Sequence, residues 1–429
     1  MTDVISIAKN AKIAASKMLQ ISSKIKNLAL EKIANELEKN KNNIINANNI
    51  DLNNAVKLLD EGKISQSSYN RLKLDENKIR DMIQGIRDIV KLNDPVNNIL
   101  WQRDIAEGIT LKKISCPIGV IGVIFEARPD VISQISSLAI KSSNVVILKG
   151  GSEAVNTNTE IFNIIKNTLS SIDSFPDNAV NIIFSRDDVK EMLCADEYIN
   201  LIIPRGSNSL VKFIKENTKI PVLGHADGIC HIYIDKDADK NKITDIVIDA
   251  KCQYPSACNA VETILIHTEI KDIVLPKLLE KLKANNVKIN SDEIIKNSYF
   301  QYIDNIVENW HKEYGDKIIS LKIVNSVDEA IEHINTFGSG HTDCIITENN
   351  EIAEKFMMFV DSAGVYKNIS TRFADGFRYG FGAEVGISTN KTHARGPVGL
   401  EGLTIYKYKL YGNGDIVSDF ISGKRKFNK

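Results

Sequence analysis

Long apolar runs and paired cysteines are both missing from this 429-residue sequence. No uninterrupted apolar stretch approaches the roughly 18 residues that a membrane-spanning helix needs. Six cysteines are scattered along the chain, at Cys116, Cys194, Cys230, Cys252, Cys258 and Cys344. This spacing fits neither a disulfide framework nor a paired C-x-x-C metal site. We therefore expect a soluble chain in a reducing cytoplasm.

An excess of charge of one sign is missing too. The 54 basic side chains are balanced by 55 acidic ones, which leaves a formal net charge of -1. Nucleic acid and anionic lipid are bound through clustered positive charge. We expect neither a nucleic acid nor a membrane as a partner.

The pattern of apolar residues predicts an α/β fold with two domains and mostly parallel sheets. Apolar side chains recur at helical spacing in the first hundred residues, and from residue 117 onward short β-branched runs alternate with helical segments. Residues 101–116 have two extended halves around Glu107-Gly108, which predicts a hairpin, and residues 403–410 alternate like a strand. Such strands often pair between subunits.

The G-x-G-x-x-G fingerprint of many dinucleotide-binding proteins is absent. Two other glycine-containing segments follow predicted strands and open predicted helices, namely Lys149-Gly150-Gly151-Ser152-Glu153 and Arg205-Gly206-Ser207-Asn208-Ser209. Backbone N–H groups at a helix start bind phosphate well, although plain helix capping is the commoner explanation of such segments.

Three polar segments could contribute catalytic or binding side chains. Cys258 lies among small residues just before a predicted strand, where a thiolate can be stabilised by local N–H groups, although a buried structural cysteine is the alternative. The second segment is 338–343. The third, 370–384, contains Arg372 and Arg378, whose guanidinium groups suit a carboxylate or phosphate, although a solvated surface loop is the alternative.

Five segments together resemble the gamma-glutamyl phosphate reductases, a branch of the aldehyde dehydrogenase superfamily. They are PIGVIGVIFEARPDV (117–131), VVILKGGSEA (145–154), YPSACNAVET (254–263), VDEAIEHINTFGSGHTDCI (327–345) and the stretch from STRFADGF to LTIYKY (370–408). The resemblance implies an aldehyde dehydrogenase-like fold. It also implies NADPH-dependent reduction of L-glutamyl 5-phosphate to L-glutamate 5-semialdehyde and phosphate, the second step of proline biosynthesis.

The resemblance makes Cys258 the nucleophile that forms a thioester with the acyl group. Hydrolytic aldehyde dehydrogenases have a general-base Glu at the place of Val222, and valine cannot activate water, so the thioester is protected from hydrolysis. Their oxyanion-binding Asn falls at about Ala127. The remaining oxyanion donors are the backbone N–H of Cys258 and the side chain of Asn259 or Arg128.

The resemblance also assigns cofactor-binding residues. Lys149 matches the lysine at the adenosine ribose, and Ser152 replaces the ribose carboxylate that relatives often have, with Glu153 one residue further. A neutral residue at that place removes repulsion against a 2′-phosphate, which favours NADPH. The remaining matches are Gly206 and Ser207 under the pyrophosphate, and Glu313 at the nicotinamide ribose.

For the substrate, the expected binding residues are Arg128, His341, Thr342, Arg372 and Arg378. Asp375 or Glu384 could meet the α-ammonium group, and Ser370 and Thr371 could donate to phosphate. The partners that we expect are a second copy of the chain, as a homodimer or homotetramer, and a transient complex with glutamate 5-kinase.

The corresponding domain division has four parts. Residues 1–100 and 117–228 form the cofactor-binding domain, and residues 229–368 form the catalytic domain with Cys258 at the cleft. Residues 369–397 form a loop of the cleft, and residues 101–116 with 398–429 form the oligomerisation element.

Three alternatives stay open from the sequence. One is another acylating aldehyde dehydrogenase that uses a coenzyme A thioester, and the second is an inactive scaffold for glutamate 5-kinase. The third is a metal site at His225, Asp227, Cys230 and His231, but their spacing matches no familiar zinc pattern, so we expect no metal requirement.

Overall fold

The chain forms two compact units. The computed structural model describes residues 3–225 and 227–428. The first unit is Met1–Leu223 with Val398–Lys429, and the second is Gly224–Pro397. The boundary thus follows Leu223 rather than residue 228, and residues 369–397 belong to the second unit. Within the described residues, no helix has both the length and the apolar character to cross a membrane.

The α-helices of the described residues are α1 (Val4–Met18), α2 (Ser23–Lys39), α3 (Lys41–Asp60), α4 (Gln66–Leu72), α5 (Glu76–Lys91), α6 (Val131–Lys141), α7 (Val155–Ser170), α8 (Arg186–Leu193), α9 (Asn208–Glu216), α10 (Lys240–Cys252), α11 (Lys271–Ala284), α12 (Glu293–Tyr299), α13 (Val327–Phe337), α14 (Asn350–Phe359) and α15 (Val417–Ile421).

The strands are β1 (Ile99–Ala106), β2 (Ile109–Pro117), β3 (Val120–Phe125), β4 (Val145–Lys149), β5 (Val180–Ile183), β6 (Leu201–Arg205), β7 (Cys230–Ile234), β8 (Val261–His267), β9 (Lys288–Ser291), β10 (Asn305–Ile306), β11 (Ile318–Val324), β12 (Thr342–Ile346), β13 (Gly364–Lys367), β14 (Gly386–Ser388), β15 (Gly396–Val398) and β16 (Thr404–Tyr411).

The asparagine- and lysine-rich N-terminal region folds into five helices because it buries both apolar and polar side chains. Buried apolar residues recur along α2 at Leu30, Ile33 and Leu37. The buried Asp51 of α3 accepts hydrogen bonds from the backbone N–H (2.8 Å) and hydroxyl (2.6 Å) of Thr157. These bonds hold α3 against the first turn of α7, where a carboxylate is favoured by the helix dipole.

Two sheets complete the first unit. Four parallel strands lie in the order β5-β4-β3-β6, with helices α6, α7 and α8 as the crossovers. The hairpin predicted at 101–116 is β1 with β2, and the strand predicted at 403–410 is β16, which pairs antiparallel with β2. Trp101, Tyr406 and Tyr408 are exposed on this three-stranded sheet.

The second unit is built on seven parallel strands in the order β10-β9-β11-β8-β7-β12-β13. Successive side chains of a strand point to opposite faces. Ile232 and Ile234 accordingly pack with α10 and α11, whereas Tyr233 packs with α13 and α14. Helices on both faces confirm the α/β class, although β9, α12 and β10 were not anticipated from the sequence.

A buried ion pair lies within the second unit. Lys251 Nζ is 2.9 Å from Glu262 Oε2, and both side chains are almost fully excluded from solvent. Burial raises the pKa of Glu262 to about 7, against the opposing effect of Lys251. The backbone N–H of Gly315 donates to the other carboxylate oxygen at 3.2 Å. The pair is therefore satisfied only while all three groups stay in place.

We predict that Lys251→Ala destabilises the protein by roughly 3–5 kcal/mol, because it leaves the Glu262 carboxylate buried without its cation. The double variant Lys251→Met/Glu262→Leu should recover most of this loss. Urea unfolding measures both. The control is Lys242→Ala on the same helix, since Lys242 is half exposed in its contacts with Glu348 and Asp239 and should cost less than about 1 kcal/mol. Equal losses for Lys242 and Lys251 would contradict the prediction.

A second prediction concerns pH. Burial, with His231 and Lys322 nearby, lowers the pKa of His333 to about 3, and Lys322 Nζ lies 3.1 Å from its Nδ1. Unfolded histidine takes up a proton near pH 6.5, so a fall in pH below that value favours unfolding by up to about 1.4 kcal/mol per unit. Urea unfolding between about pH 7 and pH 5 should show a shallower decline for His333→Gln than for the parent chain. An unchanged slope in His333→Gln would overturn the prediction.

Candidate functional site

Cys258 lies in a tight turn between α10 and β8, and it is partly exposed. A Cβ atom added to Gly228 would come within 2.3–2.7 Å of the backbone O, Cα and C of Cys258. Only glycine permits this approach, so the segment before β7 packs directly on the backbone of the Cys258 turn. The backbone of Cys258 is therefore fixed in place, while its thiol stays partly exposed.

The segments before three neighbouring strands meet at this turn. In the sheet, β7 lies between β8 and β12, and all three run parallel. Cys258 precedes β8, His225 precedes β7 and His341 precedes β12. The Cys258 Sγ and one ring nitrogen of each histidine all lie within 4.8 Å of one another. The sequence predicted Cys258 and His341 separately, but it did not predict that His225 joins them.

The two histidines are held in defined orientations. His225 Nδ1 lies 2.8 Å from the carbonyl oxygen of Ile387, and the two imidazole rings meet edge to face with centroids 4.7 Å apart. His341 is fully buried, and its Nδ1 lies 2.9 Å from Thr342 Oγ1. Its Nε2 is buried with no hydrogen-bond partner among the described residues.

Hydrogen bonds join residues 370–378 to the turn that contains Cys258. Thr371 Oγ1 donates to the backbone oxygen of Asn259 at 2.7 Å, and Asn259 Nδ2 donates to the backbone oxygen of Ala374 at 2.8 Å. Arg372 Nε donates to Gln253 Oε1 at 2.9 Å, and the guanidinium lies 5.7 Å from the Tyr254 ring centroid. This arginine-bearing loop and the Cys258 turn therefore form one bonded substructure.

The two arginines of this loop differ in their surroundings. Arg372 is buried to about 8% exposure, and burial, together with Arg378, lowers the pKa of its guanidinium while the Cys258 thiolate opposes the shift. Arg378 Nη1 donates to the backbone oxygen of Arg372 and is 3.8 Å from Asp375 Oδ2. Arg372 is thus the cation close to the thiol, whereas Arg378 supports the loop.

The histidine-rich segment considered for metal binding has other contacts. His231 Nδ1 is 3.0 Å from Asp343 Oδ1, and both side chains are fully buried. The Cys230 thiol donates to the backbone oxygen of Cys258 at 3.3 Å, and burial raises the pKa of that thiol well above its usual value. Cys230 and His231 therefore help to build the core under the Cys258 turn.

The carboxyl ends of the strands in the first unit carry the predicted cofactor residues. Lys149 ends β4, and burial lowers the pKa of its ammonium, with Glu153 opposing this shift and Arg186 adding to it. Arg186 opens α8 and is exposed. The charge of Arg186 therefore acts on Lys149, as do the carboxylates of Glu153, Glu126 and Asp188. The sequence analysis missed Arg186. Its only sequence signal was the position directly after a strand, in Phe184-Ser185-Arg186.

The carboxylate of Glu126 lies at Gly206 and Ser207, where the sequence predicted the pyrophosphate. Glu126 Oε2 accepts the backbone N–H of Ser207 at 2.8 Å, and a Cβ on Gly206 would come within 2.4 Å of that oxygen. The neighbouring Glu153 Oε1 accepts the N–H of Ala127 at 2.7 Å, which supports the left-handed backbone of Ala127 (φ 44°). Glu126 is a second residue that sequence reasoning missed.

The remaining predicted residues lie at separate places. Ser152 is exposed at the start of the short turn before α7, and Arg128 is partly buried in the turn before α6. Thr342 begins β12 and is buried beside His341. Glu313 is partly buried near Glu262, whose pKa it helps to raise.

Comparison with known proteins identifies the family. Residues 1–296 match the aldehyde dehydrogenase family. The chain is 61% identical over 424 residues to gamma-glutamyl phosphate reductase of Brachyspira hyodysenteriae, covering 99% of this chain and 98% of that one. It is 49% identical to the enzyme of the same name from Methanococcoides burtonii, covering 98% and 94% of the two chains.

The fold comparison agrees with the sequence comparison. The crystal structure of gamma-glutamyl phosphate reductase from Thermotoga maritima superposes with a TM-score of 0.93 at 38% identity, covering 97% of this chain and 100% of that one. An identity of this size over nearly the whole length extends beyond the shared fold to the branch of the family. The chain therefore belongs to the aldehyde dehydrogenase family and, within it, to the gamma-glutamyl phosphate reductases.

Proposed function

We propose that the chain reduces L-glutamyl 5-phosphate to L-glutamate 5-semialdehyde with NADPH and releases phosphate, as the second step of proline biosynthesis. The name and the near full-length identity of the relatives support this activity. The observation that carries the mechanism is the partly exposed Cys258 thiol, bonded through its turn to a loop that brings Arg372 close to it.

In the first half of the reaction, the Cys258 thiolate attacks the acyl carbon and the C–O bond to phosphate breaks. The products are a thioester on Cys258 and free phosphate. Arg372 stabilises both anions, the thiolate before attack and the phosphate as it leaves, because Gln253 and Tyr254 hold its guanidinium in position.

In the second half, NADPH, when bound, would supply the hydride that reduces the thioester. The chain's part is to hold the thioester in place and to stabilise the oxyanion, for which the Cys258 N–H and the Asn259 amide remain our assignment. One Asn259 amide hydrogen already bonds to Ala374, so its main contribution is to fix the turn. The thiohemiacetal then collapses and Cys258 leaves as the thiolate.

Water does not compete for the thioester because no general base stands at the equivalent of the hydrolytic glutamate. That place is taken by Val222, which forms an isolated β-bridge with Ile202. An aliphatic side chain cannot take a proton from water.

The selectivity for NADPH that we propose rests on Lys149 and Arg186. Two neighbouring cations suit the 2′-phosphate, and the exposed Ser152 adds no opposing charge. A pyrophosphate at the start of α9 must compete with Glu126 for the Ser207 N–H. The family resemblance supplies the remaining cofactor contacts. We assign Gly206 to the pyrophosphate, Glu313 to the nicotinamide ribose and Glu153 to the group that binds the adenosine end.

For the rest of the substrate, Arg128 and Arg378 are our assignments for the carboxylate and phosphate groups, with His341 and Thr342 beside the reacting thiol. We further propose a homodimer or homotetramer formed through the β1-β2-β16 sheet, because its exposed Trp101, Tyr406 and Tyr408 form an aromatic surface. We also propose a transient complex with glutamate 5-kinase. The proposal of a cytoplasmic setting is supported by the six cysteines, which are free thiols.

Replacement of the thiol tests the mechanism. Cys258→Ala should abolish the NADP-dependent oxidation of glutamate semialdehyde in the presence of phosphate, with NADPH binding unchanged by fluorescence titration. Cys194→Ala, at an exposed cysteine of the first unit, should keep full activity. Undiminished activity of Cys258→Ala would disprove the thioester route, and activity of the parent chain with coenzyme A but not with phosphate would favour the coenzyme A alternative.

Replacement of the two cations tests the choice of cofactor. Arg186→Met should raise the KM for NADPH by roughly tenfold and leave that for NADH nearly unchanged, since it removes one charge-assisted contact to the 2′-phosphate. Lys149→Met should raise the KM for NADPH by a similar factor and that for NADH by less, because Lys149 also meets the ribose that both cofactors have. Lys190→Met is the matched control, because Lys190 lies on the same helix as Arg186 and is exposed in its contact with Asp187. Equal effects on both cofactors would refute the assignment.

A further inference from the structure

We propose that Cys258, His225 and His341 form a site for Zn²⁺, and that the bound metal reversibly blocks the thiol. Formation of the site depends only on the three side chains. Inhibition by the metal rests in addition on the role proposed for Cys258.

The donor set is that of a zinc site. A thiolate and two imidazoles are ligands that Zn²⁺ prefers, and three protein ligands leave the fourth tetrahedral position for water or another small ligand. The three donor atoms come from the ends of three separate segments and meet within 4.8 Å. Sequence spacing could not reveal such a set, because the ligands are more than thirty residues apart at the least.

The distances are close to those that the metal requires. Zn–S bonds of about 2.3 Å and Zn–N bonds of about 2.0–2.1 Å place tetrahedral ligand atoms roughly 3.3–3.6 Å apart. Donor atoms that lie within 4.8 Å need side-chain movements of roughly an ångström to reach this spacing. Cys258 is only partly buried and lies in a turn, so its χ1 can supply much of that movement.

The hydrogen bonds of the two histidines favour metal binding. The carbonyl oxygen of Ile387 can only accept, so His225 Nδ1 carries the proton and the Nε2 of the neutral ring has the lone pair. A carbonyl partner on the second nitrogen is the usual support of a ligating histidine. His341 Nδ1 lies 2.9 Å from Thr342 Oγ1 and 3.8 Å from Cys230 Sγ, and the hydroxyl can accept its proton when Nε2 binds the metal.

The burial of His341 supports the metal site independently of the distances. Its ring is fully excluded from solvent, and its Nε2 has no hydrogen-bond partner among the described residues. A polar atom in that position costs free energy unless it gains a partner. A metal ion next to Cys258 would give His341 a partner. The Nε2 atoms of His231 and His333 are also buried without a hydrogen-bond partner among the described residues, but of these histidines only His341 lies together with Cys258 and His225.

Zinc binding releases one proton from the chain. The Cys258 thiol loses its proton to solvent as the S–Zn bond forms, and no oxidation or reduction takes place. Affinity should therefore rise with pH. The bound metal withdraws negative charge from the sulfur and holds it away from an acyl phosphate, which makes it a weaker nucleophile. Reductase activity should therefore fall as the site fills and return when a chelator removes the metal.

Direct binding tests the site without reference to activity. The full chain is freed of metal with a chelator and then titrated with Zn²⁺ against a chromophoric competitor and, separately, with Co²⁺. We expect one ion per chain and a Co²⁺ spectrum with the thiolate charge-transfer band and the d–d bands of a tetrahedral site. Cys258→Ser should lose the band, and His341→Gln and His225→Gln should each weaken binding by at least about tenfold.

The control for adventitious binding to thiols is Cys194→Ser, which should bind as the parent chain does because Cys194 is an exposed cysteine of the first unit. Zinc should also slow the alkylation of Cys258 by iodoacetamide, as measured by mass spectrometry of the modified peptide. Unchanged zinc affinity in Cys258→Ser or in both histidine variants would overturn the proposal, and so would a Co²⁺ spectrum without the thiolate band.

The two proposals fail in different ways. If Cys258→Ala stays active while the cobalt band still depends on Cys258, the reductase mechanism is wrong and the metal site stands. If activity requires Cys258 but zinc neither binds there nor protects it from alkylation, the metal site is wrong and the reductase mechanism stands.

Discussion

The parallel pairing of β8, β7 and β12 is the constraint on which the candidate site depends. Because the three strands run in the same direction and β7 lies in the middle, the residues that precede them must meet at one edge of the sheet. In many α/β proteins the ligand lies at the carboxyl ends of the strands. Here the nucleophile lies at the amino ends, and the expected cofactor cations lie at the carboxyl end of β4 in the other unit.

The pairing of β7 with β8 contains a register shift close to the Cys258 turn. Cys230 pairs with Val261 and His231 with Thr263, so Glu262 is an extra residue in β8. Bulges of this kind bend a strand and re-aim its side chains, and they are common beside active sites. The bulged Glu262 is the one that pairs with the buried Lys251 of α10, the helix that leads into the Cys258 turn. The buried charges therefore fix the direction in which the chain enters that turn.

The sequence predicted most central elements because their apolar patterns are local. The hairpin β1-β2 was predicted from its Glu107-Gly108 turn, and β16 was predicted from the alternation of residues 403–410. The short edge strands β9 and β10 could not be predicted, since two to four residues carry too little pattern. Cys258 and Arg372 were each identified from their segments, but the association of His225 with Cys258 requires the strand order, which no local pattern encodes.

The pairing of β16 with β2 means that the first unit is closed by the last segment of the sequence. Eight residue pairs join the two strands, from Thr404 with Pro117 to Tyr411 with Thr110. During synthesis residues 224–397 emerge as one continuous piece and can fold as they appear, since domains generally fold as units. Strand β2 stays an open edge until residue 411 has left the ribosome. Edges of this kind pair readily with other chains, so the first unit is exposed to wrong strand pairing for longer during synthesis than the second.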